Sequence, residues 1–548
     1  MQKFLRLAII SCFSSLLYPQ DMAIREECKF SVDNISEHFN YLASDFLQGR
    51  GIGTTGELLA AKYIANEFKK AGLKPLGSNN EFFQFIPLHG SYPQQKTELN
   101  IHYSNYDIPL VLNEDYVLYT TGEQTFLSGK YPIVFVGYGI TAPEYDYNDY
   151  QNIDISGKVA LFLEGEPLSN DNNYFEGEKP TIYSYSKTKQ LIALSRGAVG
   201  SILIPFKSKY SKSKWEKILN DFSFENVSLA TFANQNLSIL INPQSAYYLF
   251  QNSLYELNEV YQMHEKNNMQ SFFLNCQLSF KGHFVERDFL SPNVIGLLEG
   301  SDPVLRDSYI IISAHYDHLG IGPSINGDSI YNGAFDNAIG IAGLLELTRI
   351  YSKEKQNLKR SIIFLCVTAE EKGLLGSYYY TTSPPIPLYK TIANINIDGL
   401  AVFDRFKSVV GIGSEYSSLG KYLEKVASKL NLTVSTIPEG FANWTSFYVS
   451  DQAAFAQAGV PSILIYEGLE PENRSFDETL NWYINFSENI YHSPFDDLNQ
   501  EVNFAATIQH LSIIYDFINE LANSKDEPNW HGSSPFLAAR LRSKAERK

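Results

Sequence analysis

Two histidines and four carboxylates stand out in this sequence because their types and spacing suit metal-ion chemistry. His315 lies in Ser313-Ala-His-Tyr-Asp-His-Leu-Gly320, and the others follow it along the chain: Asp336, Glu370, Glu371, Asp398 and His492. Each stands at the C-terminal edge of a strand-like apolar run or in a loop beside one. Zinc accepts imidazole nitrogen and carboxylate oxygen as ligands, and paired metal ions drive hydrolysis. The pattern therefore predicts a two-metal hydrolytic site.

A division of roles follows from these residue types. His315 and Asp398 can hold one ion, Glu371 and His492 the second, and Asp336 can bridge the two. Adjacent glutamates on a short connection project in different directions, so Glu370 can face the attacking water while Glu371 faces metal. A carboxylate placed in this way takes the proton of the water and delivers it to the leaving amine.

Two further residues lie close to His315 in sequence. Asp317 points the same way as His315 if the segment is extended, so we expect it to orient the imidazole. We expect His318 to be structural, because the other ligands already complete the site. Each residue alone has an ordinary structural explanation, such as a helix start for the Glu370–Glu371 pair. Their occurrence together at strand ends favours the metal site.

The elements that must position these residues alternate between strand and helix from Asn293 onward. Continuous apolar runs at 310–314, 362–367 and 392–397 are typical of buried parallel strands. Segments 339–350, 419–430 and 452–458 are predicted helices. This alternation predicts an α/β fold whose mixed, mostly parallel sheet carries helices on both faces. Ligands bind beyond the carboxyl ends of strands in such folds, where the candidate residues fall.

The rest of the chain suggests a discontinuous domain with an insert. Near the N-terminus, Phe39, Leu42 and Phe46 recur at helical spacing, and a second helix is predicted over 57–71. Residues 111–285 change character and contain short apolar strands bounded by turns, with no cluster of metal ligands. We therefore predict one domain from 21–110 and 286–523, a β-rich insert at 111–285, and a polar, disordered tail at 524–548.

Length, composition and net charge limit the classes of protein and partner that the sequence allows. The chain has 548 residues, 44% hydrophobic and 19% charged, which describes a globular protein of more than one domain. Its net charge of −17 is opposite in sign to what binding a phosphate backbone needs. Nucleic acid is therefore excluded as an expected partner.

The N-terminus indicates export. Lys3 and Arg6 precede an apolar stretch too short to anchor in a bilayer, so residues 1–20 are predicted to be a signal peptide. The expected location is periplasmic, on the outer envelope or extracellular. Ile9-Ile-Ser-Cys12 also resembles a lipoprotein cleavage box, which leaves a lipid anchor at Cys12 open. A Cys28–Cys276 disulfide is an option that spacing cannot decide, and Cys366 is expected to be a core residue.

Taken in order, these motifs resemble the co-catalytic zinc aminopeptidase family that includes bacterial leucyl aminopeptidase and glutamate carboxypeptidase II. The resemblance rests on the His315 motif and on three later motifs: Asn332-Gly-Ala-Phe-Asp-Asn337, Ala369-Glu-Glu-Lys-Gly-Leu-Leu-Gly-Ser377 and Tyr491-His-Ser-Pro494. The stretches around Leu42 to Arg50 and Gly72 to Pro75 are similar to the N-terminus of the secreted bacterial branch. The insert resembles a protease-associated domain.

The resemblance implies a peptide substrate, two zinc ions and a role for each motif residue. The implied zinc ligands are His315, Asp336, Glu371, Asp398 and His492. Glu370 is implied as the general acid/base and Asp317 as the residue that orients a ligand. By similarity to the carboxypeptidase branch, Tyr491 is either a hydrogen-bond donor to the tetrahedral intermediate or simply a packed aromatic residue. The family also implies a cis peptide bond between Asp336 and Asn337.

Some features depart from the family and leave alternatives open. Many relatives carry an acid before the bridging Asp, where this chain has Phe335, and a Ser where it has Ile339. These changes leave the substrate preference undecided. A long aromatic and acidic loop at 468–491 could wall the pocket. An aminopeptidase is the leading hypothesis; the alternatives are a carboxypeptidase, a glutaminyl-cyclase-like acyltransferase with a single zinc, and a receptor-like protein without metal.

Overall fold

Two large β-sheets and the helices around them make up the chain. In the computed structural model, the described residues are 27, 29–119, 126–171, 173–177, 180–206, 212–232, 236–436 and 447–547. Within these ranges one sheet has ten strands and the other eight.

The ten-stranded sheet follows the order β11-β2-β14-β18-β15-β19-β22-β20-β21, with β1 beside β14. Its strands are β1 (Lys74–Pro75), β2 (Phe83–Pro93), β11 (Asn226–Leu229), β14 (Phe284–Leu298), β15 (Tyr309–His315), β18 (Ser361–Val367), β19 (Thr391–Asn396), β20 (Ser408–Ile412), β21 (Thr433–Val434) and β22 (Ser462–Glu467).

The eight-stranded sheet follows the order β4-β3-β13-β6-β9-β10-β12-β5. Its strands are β3 (Glu98–His102), β4 (Asp107–Leu110), β5 (Tyr116–Leu118), β6 (Phe126–Val136), β9 (Val159–Leu163), β10 (Gly200–Ile204), β12 (Leu237–Ile241) and β13 (Ser271–Lys281). Two small hairpins pair β7 (Thr141–Ala142) with β8 (Tyr147–Asn148), and β16 (Gly320–Ile325) with β17 (Asp328–Tyr331).

The helices that pack around the sheets are numbered along the chain. They are α1 (Val32–Leu42), α2 (Thr55–Lys70), α3 (Ser186–Ser195), α4 (Lys212–Asp221), α5 (Leu257–Glu265), α6 (Ile339–Glu354), α7 (Leu375–Thr382), α8 (Leu419–Lys429), α9 (Gln452–Gln457), α10 (Phe476–Asn485), α11 (Phe504–Asn523) and α12 (Leu537–Ala545).

The first sheet confirms the α/β prediction. Its central strands β18, β15, β19 and β22 run parallel, and antiparallel strands β14 and β20 flank them. Side chains alternate between the two faces of a strand. Ile310 and Ile312 of β15 accordingly pack with α1, α6 and α11, while Ile311 packs on the opposite face with Tyr380 of α7 and Phe455 of α9. Helices therefore cover both faces.

One predicted helical contact near the N-terminus is wrong. Phe39 and Leu42 are buried on α1, but the helix ends at Leu42, and Phe46 is 67% exposed. A short 3₁₀ segment, Asp45–Arg50, follows instead. Phe46 keeps the helical spacing from Leu42, but the helix has already ended there, so the spacing does not place Phe46 on its buried face.

The second sheet begins earlier than the expected insert. Strands β3 and β4 precede residue 111 and pair into this sheet, whereas β11 lies within the insert but pairs with β2 of the first sheet. Helix α4 of the insert also contacts residues outside the insert: Lys217 donates from Nζ to the carbonyl of Ser487 at 2.8 Å, and Tyr331 donates to Asn220 Oδ1 at 2.9 Å. The insert thus contacts the region of the candidate site.

The C-terminal segment is ordered, contrary to the expected disorder. Trp530 and Phe536 are buried against Phe447 and Ile412, and the indole of Trp530 donates to the carbonyl of Gly459 at 2.9 Å. Helix α12 follows. The tail is polar in composition, but its two buried aromatic residues remove a large apolar surface from water, which favours an ordered segment.

Two of the four cysteines lie in the described part of the chain. Cys366 is buried in the core, as predicted, and Cys276 is a buried thiol. Cys12, Cys28 and the predicted signal peptide lie outside the described residues. Among the helices that the structure describes, none combines the length and the apolar character needed to cross a bilayer.

Candidate metal centre and active site

Three parallel strands bring most of the candidate residues to one edge of the first sheet. Strand β15 ends at His315, β18 ends just before Glu370 and Glu371, and β19 ends two residues before Asp398. Because β15 lies between β18 and β19, the carboxyl ends of all three strands face the same cleft. Asp336 and His492 approach this edge from loops.

The structure brings all five predicted ligands together around Asp336. The Nε2 atom of His315 lies 3.1 Å from Asp336 Oδ1 and 3.2 Å from Asp398 Oδ1. On the other side, Nε2 of His492 lies 3.4 Å from Asp336 Oδ2 and 3.1 Å from Glu371 Oε2. The two oxygens of Asp336 therefore face two separate groups of ligands, which is the arrangement that a bridging carboxylate needs.

His318 lies closer to the cluster than a purely structural residue would. Its Nδ1 is 2.6 Å from Glu371 Oε1 but 4.0 Å from Asp336 Oδ2. His318, Asp336 and Glu371 form one candidate metal-binding group, and His315, Asp336 and Asp398 form another. His492 faces both carboxylates of the second group at similar distances, so the geometry gives His492 the ligand position and His318 the part of orienting Glu371.

Asp317 acts through a different contact from the expected one. Its carboxylate accepts backbone N–H bonds from Glu370 at 3.2 Å and Glu371 at 3.4 Å. It lies 3.9 Å from Nδ1 of His315, which is closer to the backbone carbonyl of Asp317, at 3.2 Å. Asp317 therefore fixes the Glu370–Glu371 turn with its side chain and faces the imidazole with its main chain.

Tyr491 lies against the cluster, as predicted. Its ring stacks on that of His492, with centroids 3.9 Å apart and planes 17° from parallel. Burial, reinforced by the nearby carboxylates of Asp336 and Glu371, raises the pKa of Tyr491 well above its ordinary value. The hydroxyl is therefore held in its protonated, hydrogen-bond-donating form.

Buried negative charge dominates the electrostatics of the site. Burial raises the pKa of Asp317 to about 8 and the pKa of Glu370 well above its usual range. Burial alone would lower the pKa of His315, but Asp398 and Glu370 outweigh it and raise that pKa instead. The pKa of His492 likewise rises to about 10, because Glu371 and Asp336 overcome the effect of burial.

This environment fits divalent cations. The cluster gathers the buried or half-buried carboxyl groups of Asp317, Asp336, Glu370, Glu371 and Asp398, but only three imidazoles. Nε2 of His492 is buried, points between two carboxylates and makes no hydrogen bond within the described structure. Imidazole nitrogens and carboxylate oxygens gathered in this way are the ligand atoms that zinc takes. His315 and Asp398 would hold one ion, Glu371 and His492 the other, and Asp336 both.

The cis bond implied by the resemblance is present between Asp336 and Asn337. The Asn337 side chain then ties two ligand segments together. Its Nδ2 donates to the carbonyl of Ile397, and its Oδ1 accepts from the N–H of Gly399, both at 2.9 Å. Asp336 and Asp398 are thereby held in fixed relation.

Two residues that support the site had no role in the sequence reasoning. Arg50 is fully buried and donates to the carbonyls of Leu42, Tyr316, Asn332 and Gly333. Asp496 accepts the N–H groups of Phe335 at 2.8 Å and Asp336 at 3.1 Å. Arg50 follows Gly49 in the N-terminal motif, and Asp496 follows His492 by four residues. Their positions near motifs were evident from the sequence, but their contacts with the ligand segments were not.

We expect the substitution Asp496→Asn to weaken zinc binding by roughly 10- to 100-fold, the usual effect of losing a residue that holds a ligand. The amide keeps one acceptor oxygen but turns its NH₂ toward a backbone N–H, so Asp336 loses a fixed position. Titration with chelator-buffered zinc measures the change. The neighbouring substitution Asp497→Asn, at a side chain that bonds Asn499, serves as the control. Equal zinc affinity in both variants would contradict the role given to Asp496.

An α/β sheet that carries a carboxylate–imidazole cluster at the carboxyl ends of its strands defines a metal-dependent hydrolase-like protein. The sequence of residues 293–518 matches the profile of Peptidase family M28. The match contains every candidate ligand and spans 226 of the 548 residues of the chain.

Similar proteins are found in several organisms. A vacuolar membrane protease of Candida dubliniensis is 28% identical over 236 residues, covering 43% of this chain and 21% of the relative. An aminopeptidase of Bacillus subtilis strain 168, YwaD, is 24% identical over 214 residues, covering 38% of this chain and 42% of the relative. The chain thus matches less than half the length of either relative.

A solved structure shows the same fold along nearly the whole chain. The aminopeptidase from Aneurinibacillus sp. strain AM-1 aligns over 92% of this chain and 99% of its own, with a TM-score of 0.54 and 18% sequence identity. The likeness therefore includes the insert as well as the peptidase sheet.

Proposed function

We propose that the protein is a two-zinc aminopeptidase that removes N-terminal residues from peptides. The observation that carries this proposal is the position of Asp336, whose two oxygens face two separate ligand groups beside Glu370. Relatives described as zinc metalloproteases and aminopeptidases support the metal and the reaction. A single-zinc acyltransferase is less consistent with two ligand groups that share one carboxylate.

The residues around the metal centre supply the remaining steps. Zinc held by these ligands would supply Lewis-acid chemistry, polarising the scissile carbonyl and lowering the pKa of a water molecule. Glu370 takes the proton of that water and passes it to the leaving amine. Tyr491 donates a hydrogen bond to the oxygen that becomes negative in the tetrahedral intermediate. Asp317 holds Glu370 and Glu371 by their backbone N–H groups, so that proton transfer occurs from a fixed position.

The charge of the adjacent pocket favours an aminopeptidase over a carboxypeptidase. Glu370, Asp398 and Asp336 open onto a cavity of about 610 Å³. Among the described residues that line it, none is Lys, Arg or His. A pocket with acids and no basic residue attracts a free ammonium group and repels a C-terminal carboxylate. The part of the 468–491 loop that was expected to wall the pocket does so, through Trp482 and Phe486.

We also propose that the protein is exported and that the 111–285 insert is a protease-associated domain that limits substrate size. The signal-like sequence of residues 1–20 supports export. Contacts from Lys217 and Asn220 to Ser487 and Tyr331 support a position of the insert beside the cleft. Comparing processed and full-length protein in cell fractions tests the export proposal.

A substrate screen tests the proposed reaction. Matched aminoacyl amides with a free or an acetylated amine, and peptides with a free or an amidated C-terminus, are incubated with the zinc-loaded protein. We expect hydrolysis of the free-amine substrates whatever their C-terminus. Cleavage that requires a free C-terminal carboxylate would establish a carboxypeptidase instead, and cyclisation of N-terminal glutamine without hydrolysis would establish the acyltransferase alternative.

A further inference from the structure

The cavity beside Glu370 and Asp398 extends sideways along the sheet edge and has mostly apolar walls. Val410 and Leu464 line it from strands β20 and β22, and Trp482 and Phe486 line it from α10 and the turn that follows. Walls of this kind favour a hydrocarbon chain, because enclosing it removes apolar surface from water.

One buried carboxylate interrupts these apolar walls. Glu467 ends β22, the strand next to the one that leads to Asp398, and its side chain is only 13% exposed. Its Oε1 accepts a hydrogen bond from the hydroxyl of Tyr483. Its Oε2 is buried and makes no hydrogen bond within the described structure. Glu467 is one of the residues that line the cavity, so its carboxylate is the acidic group available to a cation that enters between the apolar walls.

The nearest titratable neighbour of Oε2 does not neutralise it. Nδ1 of His510 lies 3.5 Å away but accepts the N–H of Ala401 at 3.0 Å, so it carries a lone pair and not a proton. The other ring nitrogen, Nε2, is 2.9 Å from the carbonyl of Ile465 and donates to it. Burial lowers the pKa of His510. Within the described ranges, no lysine or arginine forms an ion pair with Glu467.

A second polar residue, Ser408, lines the cavity beside Glu467. Ser408 begins β20, one strand further from Asp398, and the N–H of Gly468 donates to its carbonyl at 2.8 Å. The Oγ atom of Ser408 is buried and also lacks a hydrogen-bond partner in the described structure. The cavity thus extends from the metal centre along apolar walls to Glu467 and Ser408, and none of the described residues that line it is basic.

We propose that this cavity receives the side chain of the substrate's N-terminal residue, and that Glu467 selects there for a long side chain ending in a positive charge, as in lysine or arginine. This inference rests on the aminopeptidase reaction proposed above. A lysine side chain combines an apolar four-carbon stem with a compact ammonium group that donates three hydrogen bonds. The stem fits the apolar walls, and the ammonium group pairs with the carboxylate of Glu467.

An uncharged side chain of the same shape provides the sharpest comparison. Norleucine contacts the same apolar walls but leaves the Glu467 carboxylate largely buried without a cationic partner, which costs free energy. A site built to hydrogen-bond a group rejects the analogue that lacks it. Selectivity for lysine over norleucine therefore reports on Glu467, and selectivity for arginine over citrulline reports on it in the same way.

The experiment compares Lys- and norleucine-anilides on the full-length, zinc-loaded protein and on three variants. For the wild type we expect kcat/KM for lysine to exceed that for norleucine by roughly 10- to 100-fold, as for a hydrogen bond to a charged group. Glu467→Gln keeps the shape and an acceptor for Tyr483, and should reduce this ratio to about 1. Ser408→Ala should reduce it by a smaller factor. Glu424→Gln, on the exposed face of α8, is the matched control and should keep the wild-type ratio.

The outcomes separate this inference from the proposed reaction. Equal or faster hydrolysis of norleucine by the wild type would overturn the role of Glu467 while leaving the aminopeptidase intact. If no aminoacyl anilide is cleaved, the proposed reaction fails, and calorimetric binding of lysinamide and norleucinamide decides the inference. Tighter binding of lysinamide that disappears in Glu467→Gln supports it, whereas equal binding of the two amides overturns it.

Discussion

Glu370→Gln should reduce turnover by roughly 10²- to 10⁴-fold, the usual contribution of a positioned acid/base. The amide has the same shape but cannot accept and return a proton. Glu370 faces the cavity, and Asp317 holds its backbone N–H in place, so the loss should be chemical rather than structural. Zinc content should stay near that of the wild type, because Glu371, and not Glu370, contacts His492 and His318. Turnover number and bound zinc are measured on the same preparation.

Glu371→Gln is the matched control at the adjacent position. A neutral amide is a poorer zinc ligand than a carboxylate, so this variant should lose zinc as well as turnover. Parallel loss of both properties in Glu370→Gln, or near-normal turnover in it, would refute the separation of roles between these two glutamates.

Arg50→Met should destabilise the folded chain by about 3–5 kcal/mol, at the upper end of the range for single substitutions. The guanidinium is fully buried and satisfies the carbonyls of Leu42, Tyr316, Asn332 and Gly333. Methionine fills similar volume but leaves these acceptors unpaired, at about 1–3 kcal/mol for each that water cannot reach. Unfolding in urea, followed by tryptophan fluorescence, measures the loss.

The same substitution should also lower zinc affinity under conditions where the protein is folded. Tyr316 lies between His315 and Asp317, and Asn332 and Gly333 lead to Asp336, so Arg50 fixes the approach of two ligand segments. Arg306→Met, at an exposed arginine, is the control and should leave both properties unchanged. Wild-type stability of Arg50→Met would show that water reaches these carbonyls.

The sequence predicted three of the five ligands because His315, Glu371 and Asp398 lie at or shortly after the end of an apolar strand. Runs at 310–314, 362–367 and 392–397 correspond to the observed strands β15, β18 and β19, and parallel strands align their carboxyl ends. Neighbouring positions on one edge of a sheet follow from this pattern without knowledge of the loops. The fold class and the grouping of His315, Glu371 and Asp398 were therefore predictable.

Contacts that depend on loop geometry were not predictable from spacing. Asp317 was expected to orient the imidazole with its side chain, but the tight turn after β18 presents two N–H groups to that carboxylate instead. Arg50 contacts Tyr316, which is 266 residues away in the sequence. Glu467 contacts Tyr483, 16 residues away, and lies at a strand end that no motif marks. The predicted disorder after residue 523 was also wrong, because it was based on the polar composition of the tail. The burial of Trp530 stabilises an ordered conformation in spite of the polar residues around it.

The measurement that tests the central claim most directly is the number of zinc ions needed for activity. Metal-free protein is titrated with zinc, and hydrolysis of a free-amine aminoacyl anilide and bound metal are followed together. With Asp336 shared between two ligand groups, full activity should require two zinc ions per chain, and the acetylated anilide should remain uncleaved throughout. Full activity at one zinc ion per chain, with no second tight site, would contradict the account.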